Sequence, residues 1–210
     1  PYNTVAPISD AEAGTQISNV TVVDAVITAS GVDAANYSNV GGIVGSTNSS
    51  ISNSLVTNSQ VIGFGNNVGG AAGTQGILGT FTSLGFEPSS GYSQGIMRTE
   101  EIGDLFTKIT VTETSVIGTS NVGGLIGVST AQVSEGQVTE SQIKSGALTL
   151  YSSGNIGGLV GNSQSGYLLD SFSSAEVLAP LSDNVGGLVG YLVGQVIRVF
   201  ATGEIEGSNN

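Results

Sequence analysis

Residues 121–127 read Asn-Val-Gly-Gly-Leu-Ile-Gly, and the chain contains five copies of this seven-residue phrase with small changes. The other copies begin at Asn39, Asn67, Asn155 and Asn184. We call the phrase the glycine motif. Recurrence of one motif along a chain is typical of repeat architectures, in which each unit buries its apolar surface against its neighbours. The motif therefore predicts a fold built from successive copies of one short unit.

A second pattern accompanies the motif, namely triplets of apolar residues at intervals of five positions. Because a strand places alternate residues on one face, a spacing of five requires a bend between the members of a triplet. The pattern therefore predicts short strands joined by tight bends. The triplets are read as Ile17-Val22-Ile27, Ile51-Val56-Val61, Phe106-Val111-Val116, Val133-Val138-Ile143, Tyr167-Phe172-Val177 and, with one shortened step, Val196-Phe200-Ile205.

The intervals between motifs predict one insertion. Successive motif asparagines are 28, 54, 34 and 29 residues apart. Within the long interval, 33 residues separate Gly73 from Phe106, whereas six separate Gly127 from Val133, so 33 − 6 = 27 residues are added and 54 − 27 = 27 remain. We therefore expect a lateral insertion at about residues 74–105 and no missing repeat. Its apolar residues are expected to fill the space left by the small pair Ala71-Ala72.

The repeats predict an all-β fold. Each unit is too short and too rich in glycine for a pair of helices, and its apolar segments are β-branched and bounded by Gly, Asn and Ser. A unit of about 30 residues matches one coil of a parallel β-helix, a solenoid in which stacking pairs the strand edges and completes the core. We predict about six coils over residues 17–210, preceded by an N-terminal extension or joint at residues 1–16.

The asparagine of each glycine motif predicts a structural ladder. Asparagine tolerates the left-handed backbone region, and its amide can bond to an equivalent amide in the coils above and below. We expect these side chains to stack in one column at a corner, while the glycine pair allows positive φ or a close approach of backbones. The predicted ladder consists of Asn39, Asn67, Asn121, Asn155 and Asn184.

Composition excludes several classes of function. The chain has 210 residues and a net charge of −12 with only four Lys and Arg, which argues against binding to nucleic acid or to an anionic membrane. It contains no Cys and no His, which removes thiolate chemistry, Cys-ligated zinc and the Ser-His-Asp triad. We find no apolar run long enough for a membrane-spanning helix. These features predict a protein that is not an enzyme.

The phrase of two glycines, two aliphatic residues and a glycine, here at residues 41–45 and in the later copies, resembles the GLUG motif. That repeat occurs in large bacterial surface and secreted proteins, including adhesin-like proteins and some immunoglobulin A peptidases. The likeness covers about residues 39–210 and recurs in phase. It implies a right-handed β-helix that is secreted or exposed at the cell surface. It implies no catalytic residues, because the metalloprotease centre of those peptidases lies elsewhere and requires histidine.

The insertion contains a candidate binding site made of Arg98, Glu100, Glu101 and Asp104. Residues that interrupt a repeat are where solenoids usually place recognition, so a protein or carbohydrate surface ligand is one interpretation. The alternative is a short helix that begins near Thr99 and flanks the wall of the solenoid.

Two acidic columns are weak candidates for Ca²⁺. Alignment of the triplets places Glu113 beside Glu140 and Glu176 beside Glu204. Like charges at roughly 5 Å repel, so a cation between them would be stabilising. The chain has no recognised calcium-binding pattern, and solvated outward carboxylates are the alternative. No other cofactor is predicted.

Arg198 is the starting point for any enzymatic interpretation. Polysaccharide lyases built on a β-helix use an Arg or Lys base beside carboxylates. The alignment instead places Arg198 next to Asp170 of the adjacent coil, which predicts an exposed ion pair.

These observations predict a non-enzymatic, extracellular element of a prokaryotic surface protein or filament, with a role in adhesion, as a stalk or in end-to-end assembly. The alternatives are the stalk of a large secreted protease and a polysaccharide lyase. Residues 206–210 match the lead-in to the motif at 65–67. We therefore expect the last coil to be covered, either by continuation in a longer chain or by another copy of the chain.

Overall fold

The part of the chain described here is built of β-strands. A computed structural model describes residues 3–12, 15–29, 38–63, 67–76, 105–146, 152–164 and 167–208. Within these ranges there are 28 strands and no helix, and the strands form four sheets. All of the strand pairs are parallel. The predicted all-β class is confirmed.

The strands are numbered β1 to β28 in chain order and are grouped here by sheet. Sheet A contains β1 (Asn3–Val5), β6 (Ser38–Gly41), β10 (Asn67–Gly69), β14 (Asn121–Gly123), β19 (Ser152–Gly157) and β24 (Ser182–Gly186). Sheet B contains β2 (Ile8–Ala11), β7 (Val44–Thr47), β11 (Ala72–Gln75), β15 (Ile126–Ser129), β20 (Val160–Ser163) and β25 (Val189–Leu192).

The other two sheets contain the strands that follow each motif. Sheet C contains β3 (Gln16–Ser18), β4 (Thr21–Val23), β8 (Ser50–Thr57), β12 (Leu105–Thr112), β16 (Gln132–Ser134), β17 (Gln137–Thr139), β21 (Tyr167–Leu169), β22 (Phe172–Ser173), β26 (Gln195–Ile197) and β27 (Phe200–Ala201). Sheet D contains β5 (Val26–Ala29), β9 (Gln60–Gly63), β13 (Ser115–Gly118), β18 (Gln142–Ser145), β23 (Glu176–Leu178) and β28 (Ile205–Glu206).

Equivalent strands of successive repeats pair with each other in every sheet. In sheet A, Asn67 pairs with Asn39 on one side and with Asn121 on the other. Each repeat therefore satisfies the backbone groups of the next repeat, and the inward side chains of the four sheets form one hydrophobic core. This stacking is consistent with a β-solenoid.

The register of sheets B and C reproduces the predicted length of the insertion. Gln75 pairs with Ser129, and Leu105 pairs with Gln132. Since 105 − 75 = 30 and 132 − 129 = 3, the third repeat contains 27 more residues than the fourth between these strands. The predicted binding residues Arg98, Glu100, Glu101 and Asp104 lie outside the described residues, as do the apolar residues expected to pack near Ala71.

The N-terminal residues belong to the stack and are not an extension. Strand β1 pairs with β6, and β2 pairs with β7, so residues 3–5 and 8–11 occupy the positions that the glycine motif occupies in later repeats. The predicted boundary at residue 16 is therefore wrong. It was placed there because this repeat has Ala6-Pro7 where the others have two glycines, although its strands follow the same path.

One predicted core position in the fifth repeat is occupied by the next residue along the chain. Leu168 pairs with Val133 and is 3% exposed, whereas Tyr167 is 46% exposed. The triplet member Tyr167 therefore faces outward, and Leu168 takes the buried position. Since side chains alternate across a strand, a shift of one residue reverses the face of every side chain in it.

The same shift of one residue occurs at the second position of the last two triplets, where Ser173 and Ala201 replace Phe172 and Phe200 on the inner face. Ser173 is buried and pairs with Ala201 of the last repeat. Phe172 and Phe200 lie on the outer face, where their rings stack with centroids 5.0 Å apart. Although both phenylalanines are members of the triplets, neither is the buried residue at this position.

A size limit explains why a small residue occupies this position. The second triplet residue packs directly on the second glycine of the motif: a Cβ placed on Gly42 would lie 3.1 Å from a methyl group of Val56, and one on Gly158 would lie 2.6 Å from Oγ of Ser173. A phenylalanine ring does not fit against this backbone, so it turns outward and the smaller neighbour turns inward.

Candidate functional site

The five motif asparagines form a continuous ladder of side-chain hydrogen bonds. In each step Nδ2 of one asparagine donates to Oδ1 of the asparagine in the preceding repeat, and all four distances are 2.8 Å. The ladder consists of Asn39, Asn67, Asn121, Asn155 and Asn184.

The ladder lies on the strands of sheet A, and Asn67 and Asn121 are the first residues of β10 and β14. None of the five asparagines has a positive φ, so the left-handed conformation expected for them is wrong. The parallel register of the strands aligns the amides, and extended backbone at these positions directs each amide toward the next.

A second row of polar side chains supports the ladder from sheet B. Oγ1 of Thr74 donates to Oδ1 of Asn39 at 2.8 Å and accepts from Nδ2 of Asn67 at 3.1 Å. Nδ2 of Asn162 lies 3.4 Å from Oδ1 of Asn121. The repeat patterns did not predict this row. Its signal is a polar residue seven positions after a motif asparagine, as in the step from 67 to 74.

Replacement of Asn121 by Leu is expected to destabilise the fold by about 1–3 kcal/mol, because the Asn67 acceptor and the Asn155 donor both lose their partner. Chemical denaturation measures the change. Asn184→Leu is the matched control, since Asn184 is exposed and makes only the bond to Asn155 among the described contacts. Equal losses in the two variants would contradict a cooperative ladder.

The motif glycines are needed for close approach of backbones and not for positive φ. A Cβ on Gly123, the first glycine, would lie 2.1 Å from the carbonyl oxygen of Ile126 in the same turn. A Cβ on Gly124, the second, would lie 2.2 Å from the carbonyl oxygen of Gly158 in the next repeat. A Cβ on Gly127, the third, would lie 2.6 Å from the backbone of the preceding repeat at Val68. Each glycine therefore meets a different backbone segment.

The sharp bends of sheet C place exposed polar residues in the left-handed region. These residues stand two positions after an inward residue of each triplet, where φ lies between 46° and 56°. The repeat patterns did not predict these positions as bends, although a charged residue or asparagine follows a triplet member by two positions in most copies. The residues are Asn19, Asp24, Asn53, Asn58, Lys108, Glu113, Glu135, Glu140, Asp170 and Arg198.

Arg198 and Asp170 form the ion pair that the alignment predicts. Nε and Nη2 of Arg198 donate to the two carboxylate oxygens of Asp170 at 2.5 and 2.6 Å. Both side chains are well exposed. The hydrogen bonds lower the pKa of Asp170 and raise the pKa of Arg198. The arrangement stabilises a charged guanidinium at the outer corner of two adjacent repeats.

We expect the ion pair to add a small, salt-sensitive and pH-dependent stability. Because pairing lowers the pKa of Asp170 in the folded state, its contribution is fully present above the unfolded-state pKa, near 4, and disappears as the pH falls through the lower folded-state value. Asp170→Asn should therefore be less stable than the wild type at neutral pH and equal to it in acid. Thermal unfolding over a pH series, repeated at 1 M salt, where the Debye length is roughly 3 Å, measures this difference. A gap that persists in acid would contradict an ionic origin.

Within each predicted acidic column, the two glutamates are neighbours in the structure. The amide of Glu113 donates to the carbonyl of Thr139, which places Glu113 beside Glu140. Glu176 and Glu204 likewise precede the paired residues Val177 and Ile205, and Oε2 of Glu176 accepts from Gln142 at 2.6 Å. Within the described ranges, no three His, Cys, Asp or Glu side chains come together as a metal site would require. Calcium binding at these pairs stays a prediction.

Among the described residues, no helix has the length and apolar character needed to cross a membrane. Comparison of the chain with protein-family models, curated proteins and solved structures finds no match. The likeness of the glycine motif to the GLUG repeat therefore stays a prediction.

Proposed function

We propose that this chain is a non-enzymatic, extracellular structural or adhesive segment of a prokaryotic surface protein or filament. In this proposal it forms a right-handed parallel β-helix of about six coils with one lateral insertion. The observation that carries the proposal is the repetition of one set of contacts, the asparagine ladder and the glycine approach, from repeat to repeat.

This repetition suits a load-bearing or display role. Each repeat contacts only its neighbours, so a stack of identical interfaces can present a long surface without a central catalytic cleft. The outward side chains are mainly neutral and polar, and several of the charged ones stand at the exposed left-handed bends of sheet C. In this proposal, the outer surface of the stacked strands carries the insertion and holds it at a fixed position along the stack.

The geometry at Arg198 favours the structural role over a polysaccharide lyase. A lyase base must lose its proton, and burial or neighbouring positive charge would lower its pKa. Both carboxylate oxygens of Asp170 accept hydrogen bonds from Arg198, and this pairing raises the pKa of the guanidinium. The pair therefore opposes the protonation change that the reaction needs.

Immunogold labelling of intact cells of the source organism, with antibodies against this chain, tests the proposal. We expect label on the outside of cells that have not been permeabilised. Label that appears only after lysis would overturn the extracellular assignment. A parallel incubation of the chain with polyuronates, monitored by ultraviolet absorbance for unsaturated products, is expected to show no product. Product that depends on Arg198 would favour the lyase.

A further inference from the structure

Three asparagines of the chain stand in the acceptor pattern for N-linked glycans, which is Asn-X-Ser or Asn-X-Thr with X other than proline. They are Asn19, Asn36 and Asn48. Because a glycan is bulky and hydrophilic, a folded acceptor must present its amide and the residue that carries the hydroxyl to solvent. This criterion can be applied to Asn19 and Asn48, whereas Asn36 lies outside the described residues.

Asn19 and Thr21 meet the criterion. Both are exposed, and Asn19 stands at the bend between β3 and β4 with a φ of 56°. The N–H of Asn19 donates to the carbonyl of Ser52 at 3.1 Å, and the N–H of Val20 donates to Oγ of Ser54 at 3.1 Å. Among the described residues, neither the side-chain amide of Asn19 nor the hydroxyl of Thr21 makes a hydrogen bond. The bend therefore holds its backbone in the stack and presents both groups to solvent.

The exposure of Asn19 follows from the bend and not from the place of its repeat in the stack. Asn53 occupies the equivalent bend of the next repeat, with a φ of 49°, and its strand β8 has partners on both sides. Asn53 is exposed as well. A side chain at this bend therefore points away from the repeats above and below it, and a glycan there displaces no core residue.

Asn48 is a poorer acceptor by the same criterion. It is half-buried, and its N–H donates to the carbonyl of Ala11 at 3.1 Å. The next residue, Ser49, is fully buried, and its hydroxyl donates to the carbonyl of Glu12. A glycan at Asn48 would stand beside a segment that is packed into the stack, so the geometry favours Asn19.

The bend accounts for the asparagine but not for the threonine. Equivalent left-handed bends are occupied by Asn, Asp, Lys, Glu and Arg, so this position accepts several polar residues. Thr21 pairs with Leu55, which in turn pairs with Thr110, so the outer position two residues later accepts apolar and polar side chains alike. The fold therefore does not require an amide and a hydroxyl together at this bend.

We propose that Asn19 is the acceptor of an N-linked glycan, transferred from a lipid diphosphate-linked oligosaccharide. The inference rests on the extracellular location in the proposed function. In the transfer, the amide nitrogen of Asn19 bonds to the anomeric carbon of the oligosaccharide, and the bond from that carbon to the diphosphate oxygen breaks. The lipid diphosphate leaves, and one amide proton passes to a base of the transferring enzyme. The glycan then projects from the outer bend of sheet C.

Mass spectrometry of the chain isolated from cells of the source organism tests this inference. A protease that cleaves after acidic residues releases residues 13–24, in which Asn19 is the single asparagine. We expect this peptide to carry the additional mass of a glycan, and fragmentation to place that mass on Asn19.

Two variants remove one half of the pattern each. Thr21→Val deletes the hydroxyl and keeps a β-branched strand residue, and Asn19→Asp deletes the amide in favour of a residue that stands at the left-handed bends of Asp24 and Asp170. Each should abolish the modification, while circular dichroism shows that the chain still folds.

Leu55→Thr is the matched variant that should gain a glycan. It completes the acceptor pattern at Asn53, which occupies the equivalent exposed bend and now lacks only the hydroxyl residue two positions later. We expect this chain to carry one more glycan mass than the wild type.

Unmodified residues 13–24 in the wild-type chain would overturn the inference. Modification that survives Thr21→Val or Asn19→Asp would also overturn it, and so would a Leu55→Thr chain that folds without gaining a glycan. The immunogold labelling reports on the proposed function separately. Label on intact cells together with an unmodified Asn19 would refute this inference alone, whereas label seen only after lysis would refute the extracellular location.

Discussion

Replacement of Gly124 by Ala is expected to destabilise the fold by about 3 kcal/mol or more. The added methyl would lie 2.2 Å from the carbonyl oxygen of Gly158 and 2.9 Å from both methyl groups of Val138. Neither neighbour can move freely, because the backbones of both repeats are held by hydrogen bonds on either side. Accommodation therefore requires two repeats to separate, and urea denaturation measures the loss.

Gly207→Ala is the control for the intrinsic effect of this substitution. Its new methyl would meet nothing closer than Val185 Cβ at 3.4 Å, which is ordinary contact. We expect a change within about 0.5 kcal/mol, as for substitutions away from constrained positions. If Gly124→Ala were as well tolerated as Gly207→Ala, the close stacking of the glycines would not be the reason for the motif.

Replacement of Phe106 by Ala is expected to cost about 3–5 kcal/mol, the range for deleting a buried phenyl ring. Phe106 is fully buried and is among the largest side chains of the core. The same repeat contains Ala71 and Ala72 where the next repeat has Leu125 and Ile126. Among the described residues of this repeat, the core therefore depends on the ring for volume, because its motif contributes two alanines in place of larger side chains.

Phe200→Ala serves as the matched control for Phe106→Ala. Phe200 is 55% exposed and loses mainly its stacking contact with Phe172, which is worth roughly 0.5–1.5 kcal/mol. Thermal unfolding of the two variants compares a core ring on the inner face of sheet C with a surface ring on its outer face. Equal losses would mean that Phe106 does not fill the core as the structure places it.

Periodicity in the sequence was sufficient to predict the features that depend only on how one repeat aligns with the next. The asparagine ladder, the 27 inserted residues and the Asp170–Arg198 pair all follow from aligning one repeat with the next. In a stack of parallel strands, equivalent positions become neighbours in space, so an alignment of repeats is also a map of contacts.

Other features were decided only by tertiary packing. The five-residue spacing includes Phe172 in a triplet, but the small volume beside the second motif glycine admits Ser173 and turns the Phe172 ring outward. At the first position of the same triplet, Leu168 is buried in place of Tyr167. Left-handed backbone occurs at charged residues such as Glu140, and not at the motif asparagines, because the neighbouring strands hold the asparagines in extended backbone.

The sequence by itself determined that the chain is built of stacked β-repeats and that one repeat is longer by 27 residues, because both features follow from the spacing of the repeated residues. The tertiary structure alone decided which residue of each pair faces the core, where the chain turns, and that residues 3–11 already belong to the stack. These choices depend on the volume and hydrogen bonds offered by the adjacent repeats, which a single repeat does not contain.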